Sequence, residues 1–91
     1  MEMFNPPHPG GILKDEILPA MGLTVSEAAA QIGVDRVTLS RFLNEKSSLS
    51  VSLALKIEGW LGQARGGAAE VWLKMQLAHD LWQARQNKKA A

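Results

Sequence analysis

The stretch 24–44, TVSEAAAQIGVDRVTLSRFLN, leaves the chain few ways to fold. Thr24 stands before an apolar run, and Glu27 follows three residues later. Side chains so placed can each accept a backbone N–H of the other residue, which starts a helix. Val25, Ala28, Ala29 and Ile32 then recur at i, i+3, i+4 and i+7, giving one buried stripe. The small Ala28 and Ala29 let another helix backbone come close. Gly33 falls where a helix needs a left-handed residue to stop. Asp35 can cap the next helix, with its charge at the favourable end of the helix dipole.

That second helix, over 36–44, sorts cleanly around its axis. At about 100° per residue, Leu39, Phe42 and Leu43 share one side. Arg36, Val37, Ser40, Arg41 and Asn44 share the other, and Thr38 lies between. The leucines and the phenylalanine must be core. An amphipathic helix with a merely solvated polar face is the ordinary case. Here the polar face follows a capped helix and a glycine turn, which together spell a helix-turn-helix. Its side chains suit a base-reading surface: Arg pairs with guanine, Asn with adenine, and an apolar group meets the thymine methyl. Thr38 is placed for a phosphate.

The rest of the chain narrows the field. Its 91 residues suggest one domain, 1–91, and 46% apolar content is enough for a core. A chain so short buries a limited share of its surface, so dimerisation would help. It has no cysteine, hence no disulfide and no thiolate site, which fits a reducing cytoplasm. The start shows no secretory pattern, and no apolar run approaches the roughly 20 residues needed to span a bilayer. No Gly-rich phosphate loop, metal-ligand cluster or nucleophile beside a base is present, so an enzyme is not expected. No metal or cofactor is expected either. The formal net charge is only +1. Phosphate contact must therefore come from local placement of Arg36, Arg41, Lys46 and Lys56, offset by Asp35, Glu45 and Glu58. This weak charge leaves room for a protein-interaction adaptor that keeps the fold without binding DNA.

In chain order, 1–8 reads as an irregular arm, with His8 a surface or capping residue rather than a ligand. A helix can begin near Pro9, with Ile12, Leu13 and Ile17 inward and Lys14, Asp15 and Glu16 solvated. Pro19 and Gly22 are expected to end it. After the paired helices, 45–50 is a polar connection, and Ser50 caps a helix to about 61. Leu53, Ala54, Ile57, Trp60 and Leu61 share its inner face. Gly62, Gly66 and Gly67 mark a loop. The last helix, 68–86, carries two apolar stripes: Val71, Met75, Ala78, Trp82 and, nearly opposite, Leu73, Leu77, Leu81, Ala84. Gln76, Asp80 and Gln83 fill the remaining wet side, with His79 close to it. Two stripes imply a second packing partner, the simplest being the same helix of another copy. Residues 87–91, with Lys88 and Lys89, should fray. The expectation is an all-α fold of five helices with a long C-terminal helix.

Particular residues also carry a family resemblance over 8–84. His8-Pro9-Gly10, Leu13-Lys14, Glu16 and 18–23 form an opening pattern. Ala29, Gly33, Val34, Leu39, Ser40, Arg41, Leu43 and Asn44 form the reading unit. Trp72-Leu73, Gln76 and Asp80-Leu81-Trp82 form the closing one. Together they resemble the HigA-type antitoxins, within the helix-turn-helix regulators related to phage repressors, which implies a lambda-repressor-like arrangement of the five helices.

The resemblance implies a cytoplasmic bacterial homodimer, nucleoid-associated when bound to DNA. It would repress its own promoter through a palindromic operator and neutralise a HigB-type toxin, an mRNA endonuclease. By position, Arg36, Val37, Thr38, Ser40, Arg41 and Asn44 would contact double-stranded DNA. A stand-alone or phage-type repressor without a toxin is the alternative. Three departures stand out. Glu45 replaces a common glycine, which would extend the reading helix. Val51 replaces a common proline. The loop 62–72 is longer than usual.

Overall fold

The computed structural model describes residues 5–62 and 67–90, with side chains in the last helix described through 87. The arm residues 1–4, Gly66 and the side chains of Lys88 and Lys89 lie outside the described residues. The described residues form five helices and no strand.

Helix α1 runs as α-helix over Pro9–Ile12, widens to π hydrogen bonding over Leu13–Ile17, and returns to α over Leu18–Met21. His8 caps it: Nδ1 accepts the Gly10 N–H at 2.9 Å, and Pro9 holds the first turn. The expectation that Pro19 ends this helix fails. Pro19 lacks an N–H, and its ring would crowd the Asp15 carbonyl of a regular helix. The widened turn just before it, in which Leu18 N–H bonds to the Leu13 carbonyl, fits that demand. Gly22, in the left-handed region, ends the helix.

Helices α2 (Val25–Ile32) and α3 (Arg36–Leu43) follow the local chemistry read above. Glu27 N–H bonds to Thr24 Oγ1 at 3.1 Å, and Thr24 N–H to Glu27 Oε1 at 2.9 Å. Gly33 takes φ 94°, and the Val34 N–H reaches back to the Ala29 carbonyl. Ala28 and Ala29 are buried against the core.

Glu45 does not extend α3. Asn44 caps the helix, and Glu45 itself takes the left-handed position, φ 60°, that glycine usually fills. Glu45 N–H bonds to the Phe42 carbonyl and Lys46 N–H to the Arg41 carbonyl at 2.8 Å, the paired bonds of a Schellman stop. Helix α4 is Val51–Leu61, capped by Ser50, whose Oγ accepts the Leu53 N–H. Val51 opens it without a proline. Trp60 is half-buried and donates its Nε1–H to Gln31 Oε1 at 2.9 Å, tying α4 to α2.

Helix α5 is Ala69–Ala90, longer at its end than the expected 86. Its first N–H bonds to Glu58 Oε2, fastening it to α4. Its faces differ from expectation. The buried side is Ala69, Trp72 and Gln76, with Leu73, Met75 and His79 half-buried. Gln76, expected to be wet, is among the most buried polar residues because Oε1 accepts the Leu49 N–H at 2.8 Å. The two apolar stripes flank this face, leaving Val71, Leu77 and Leu81 exposed. Among the described residues no helix is long and apolar enough to cross a membrane.

Candidate nucleic-acid interface

Helix α3 owes its placement to what grips each end. At the start, Asp35 Oδ1 accepts the Thr38 N–H and Oδ2 the Thr38 hydroxyl, both at 2.9 Å. The Thr38 N–H first, and its hydroxyl second, hold the Asp35 carboxyl below the usual carboxylate range. The helix N-terminus is therefore occupied by the chain's own anion. At the far end, Gly10 of α1 lies against the Phe42 carbonyl, so that a Cβ on residue 10 would run into it. The His8 ring tilts over Phe42 with centroids 5.6 Å apart.

Leu39, Phe42 and Leu43 are buried, which turns the opposite flank outward. Arg36 and Arg41 are exposed, and Val37 is 65% exposed between them. Arg41 Nη2 touches the Lys46 carbonyl only at 3.5 Å, a contact long enough for a base edge to replace. Ser40 is half-buried on the same flank. Thr38 lies at its edge, exposed, but its hydroxyl proton already goes to Asp35, so it would reach a phosphate only by releasing that bond. Asn44 is also engaged. Its Nδ2 donates to the Ser40 carbonyl at 3.0 Å, and its Oδ1 accepts from Lys14 Nζ at 3.0 Å.

The structure thus gathers Arg36, Val37, Ser40, Arg41 and Asn44 on one flank, with Thr38 beside them. Lys56 stands near this flank, its Nζ donating to the Gly33 carbonyl at 3.3 Å beside a cleft shared with Asp35, Thr38 and Ser52. Sequence reasoning left Lys14 as a solvated residue. It is 30 positions from Asn44, and no local periodicity connects the two. Among the described residues, no group of acidic, histidine or cysteine side chains is placed to hold a metal.

Known proteins share the sequence pattern and the fold. A helix-turn-helix family model matches residues 13–62. Virulence-associated protein A' of Dichelobacter nodosus is 36% identical over 81 residues, covering 89% of this chain and 67% of that one. Antitoxin HigA-1 of Vibrio cholerae is 40% identical over 76 residues, covering 84% and 68%. Among solved structures, antitoxin GraA superposes with a TM-score of 0.80 at 32% identity, covering 92% of this chain and 86% of that one. PA4674 of Pseudomonas aeruginosa, solved in complex with its operator DNA, superposes with a TM-score of 0.78 at 26% identity, covering 93% and 85%. The chain belongs to the helix-turn-helix family and, within it, to the HigA-type antitoxins.

Proposed function

We propose that this chain acts as one helix-turn-helix domain, binds operator DNA as a homodimer and represses its own promoter. The outer flank of α3 enters the major groove, with Arg36, Val37, Ser40 and Arg41 facing base edges. Asn44 joins them when Lys14 is drawn to the duplex, and Thr38 meets the backbone at the edge. The observation that carries this reading is the flank itself: two exposed guanidiniums bracket an exposed Val37 on a helix whose other side is core. The operator complex of PA4674 supports it. The exposed Val71, Leu77 and Leu81 of α5 support a dimer built on that helix.

The same chain neutralises a HigB-type toxin, a reading supported by its likeness to HigA-1 and GraA. A stand-alone repressor is the second reading. A relative from Haemophilus influenzae, an uncharacterized HTH-type transcriptional regulator 32% identical over 85 residues, fits either reading. Co-expression with the adjacent reading frame separates the two: a stable complex supports the antitoxin, and a lone chain supports the repressor. For DNA, Arg36→Ala and Arg41→Ala should each weaken operator binding by about 1–3 kcal/mol. Unchanged affinity in both variants would remove α3 as the reading helix.

A further inference from the structure

Helix α5 meets the segment between α3 and α4 through one buried polar side chain. Gln76 is 5% exposed. Its Oε1 accepts the N–H of Leu49 at 2.8 Å, and its Nε2 donates to Asp80 Oδ1 at 2.9 Å. Asp80 fixes which way the amide points. A carboxylate can only accept, so it draws the NH₂ toward itself and leaves the carbonyl for Leu49. Leu49 is itself buried, in the last turn of chain before Ser50 caps α4. The connection 44–50 is therefore pinned to α5 at one backbone N–H.

The reading unit does not depend on that pin for its own shape. Helix α3 is held by its packed leucines and Phe42, by the Asp35 cap, and by the Schellman bonds at Glu45 and Lys46. What Gln76 adds is a directional tie between α5, which otherwise packs mainly on α4, and the connection that leaves α3. An apolar side chain at 76 would bury more readily, since an amide costs free energy unless both its ends are bonded. A directional bond fixes orientation as a methyl cannot.

We propose that Gln76 is a positioning residue for operator binding, holding the dimer-forming helix and the DNA-reading helix in one fixed relation, with Asp80 orienting its amide. This rests on the α5 dimer proposed above. Two reading helices must meet half-sites about 34 Å apart, or a multiple of it. A small swing of α5 moves that separation, while a single reading helix on a single half-site is untouched.

The test uses a duplex of about 30 base pairs that the wild-type chain selects from a random pool, and the same duplex with one half-site scrambled. Wild type should bind the paired duplex at least about tenfold more tightly than the half duplex. Gln76→Met should lower that ratio about tenfold while changing half-site affinity by less than about twofold. It should also speed hydrogen exchange at the Leu49 amide. The exchanged pair Gln76→Glu with Asp80→Asn rebuilds both bonds, carboxylate to Leu49 and amide to carboxylate, and should restore the ratio. A Gln76→Met protein that keeps the wild-type ratio overturns the inference. So does equal loss on both duplexes, which would make Gln76 only a support of the fold. If wild type itself shows no preference for paired half-sites, the dimer reading fails and this inference fails with it.

Discussion

His8 offers a prediction whose size follows from its contacts. Its ring caps α1 through Nδ1, lies 5.6 Å from the Phe42 ring, and meets His79 edge-on at 5.0 Å. His8→Ala removes the cap, worth about 1 kcal/mol. It also removes the ring contact with Phe42, worth about 0.5–1.5 kcal/mol. The buried ring surface adds about 1 kcal/mol. The sum is about 3 kcal/mol, which in a domain of this size lowers Tm by about 12–24 °C.

The acid response is the sharper part. Burial holds the His8 imidazole below its ordinary 6.5, and His79 pushes the same way against Glu45, the Ser47 backbone and Asp80. The unfolded chain therefore takes up this proton at a higher pH than the folded chain. Stability from His8 is complete above pH 6.5 and drains away as pH falls through the lower folded-state value. Protonation also undoes the cap, because a protonated Nδ1 has no lone pair for the Gly10 N–H. Urea midpoints at about pH 7.5 and about pH 5.5 measure the effect. His8→Asn supplies a capping oxygen that does not titrate in this range. It should start less stable than wild type at neutral pH and lose less on acidification. Equal midpoints for wild type at the two pH values would refute the reasoning. An undiminished acid loss in His8→Asn would refute it as well.

Thr24→Ala breaks the reciprocal bonds at the start of α2 and should cost about 1 kcal/mol in thermal or urea unfolding. Asp35 has its pKa lowered by the Thr38 N–H and hydroxyl, so its contribution is present above the unfolded value of 3.8 and lost as pH falls below it. Asp35→Asn keeps a cap, flattens that acid limb of an unfolding titration, and removes a negative charge beside the duplex, so operator affinity at low salt should rise. If Lys14 and Lys56 each neutralise one phosphate in both subunits of the dimer, log K should fall against log salt with a slope of about −3.6. Lys56→Met, which removes one contact per subunit, should reduce that slope by about 2 without changing the selected sequence. A flat salt response would favour an adaptor that does not bind DNA.

The reading unit was legible because its determinants span three residues. Thr24 with Glu27, Asp35 with Thr38 and Ser50 with Leu53 each declare a helix start within one turn of sequence. Gly33 marks a stop by its conformational freedom, and the apolar spacing then orients both helices. Other features depended on residues far along the chain. Gln76 reads as wet because Leu49, whose N–H its carbonyl accepts, lies 27 positions away. Lys14 is exposed as expected, but its bond to Asn44, 30 positions away, has no local signal. Glu45 was misread for another reason. Only the geometry of the stop shows that a carboxylate residue, rather than glycine, sits at positive φ.

These longer contacts converge on one place, the C-terminal end of α3. Gly10 abuts the Phe42 carbonyl, His8 covers the Phe42 ring, and Lys14 holds Asn44. The opening triad explains itself here. His8 supplies the cap, Pro9 presets the first turn, and Gly10 brings α1 up against backbone where a side chain could not fit. The start of α3 is secured differently, by the Asp35 cap and the Gly33 turn, whose carbonyl also accepts from Lys56, with α2 behind it. The helix is thus braced mainly by tertiary contacts at one end and mainly by local bonds at the other. The locally held end carries Arg36 and the exposed Val37. Helix-turn-helix proteins read base edges with the N-terminal residues of the second helix. Asn44, on the braced end, is held by Lys14 and would join the interface only if a duplex drew that lysine away.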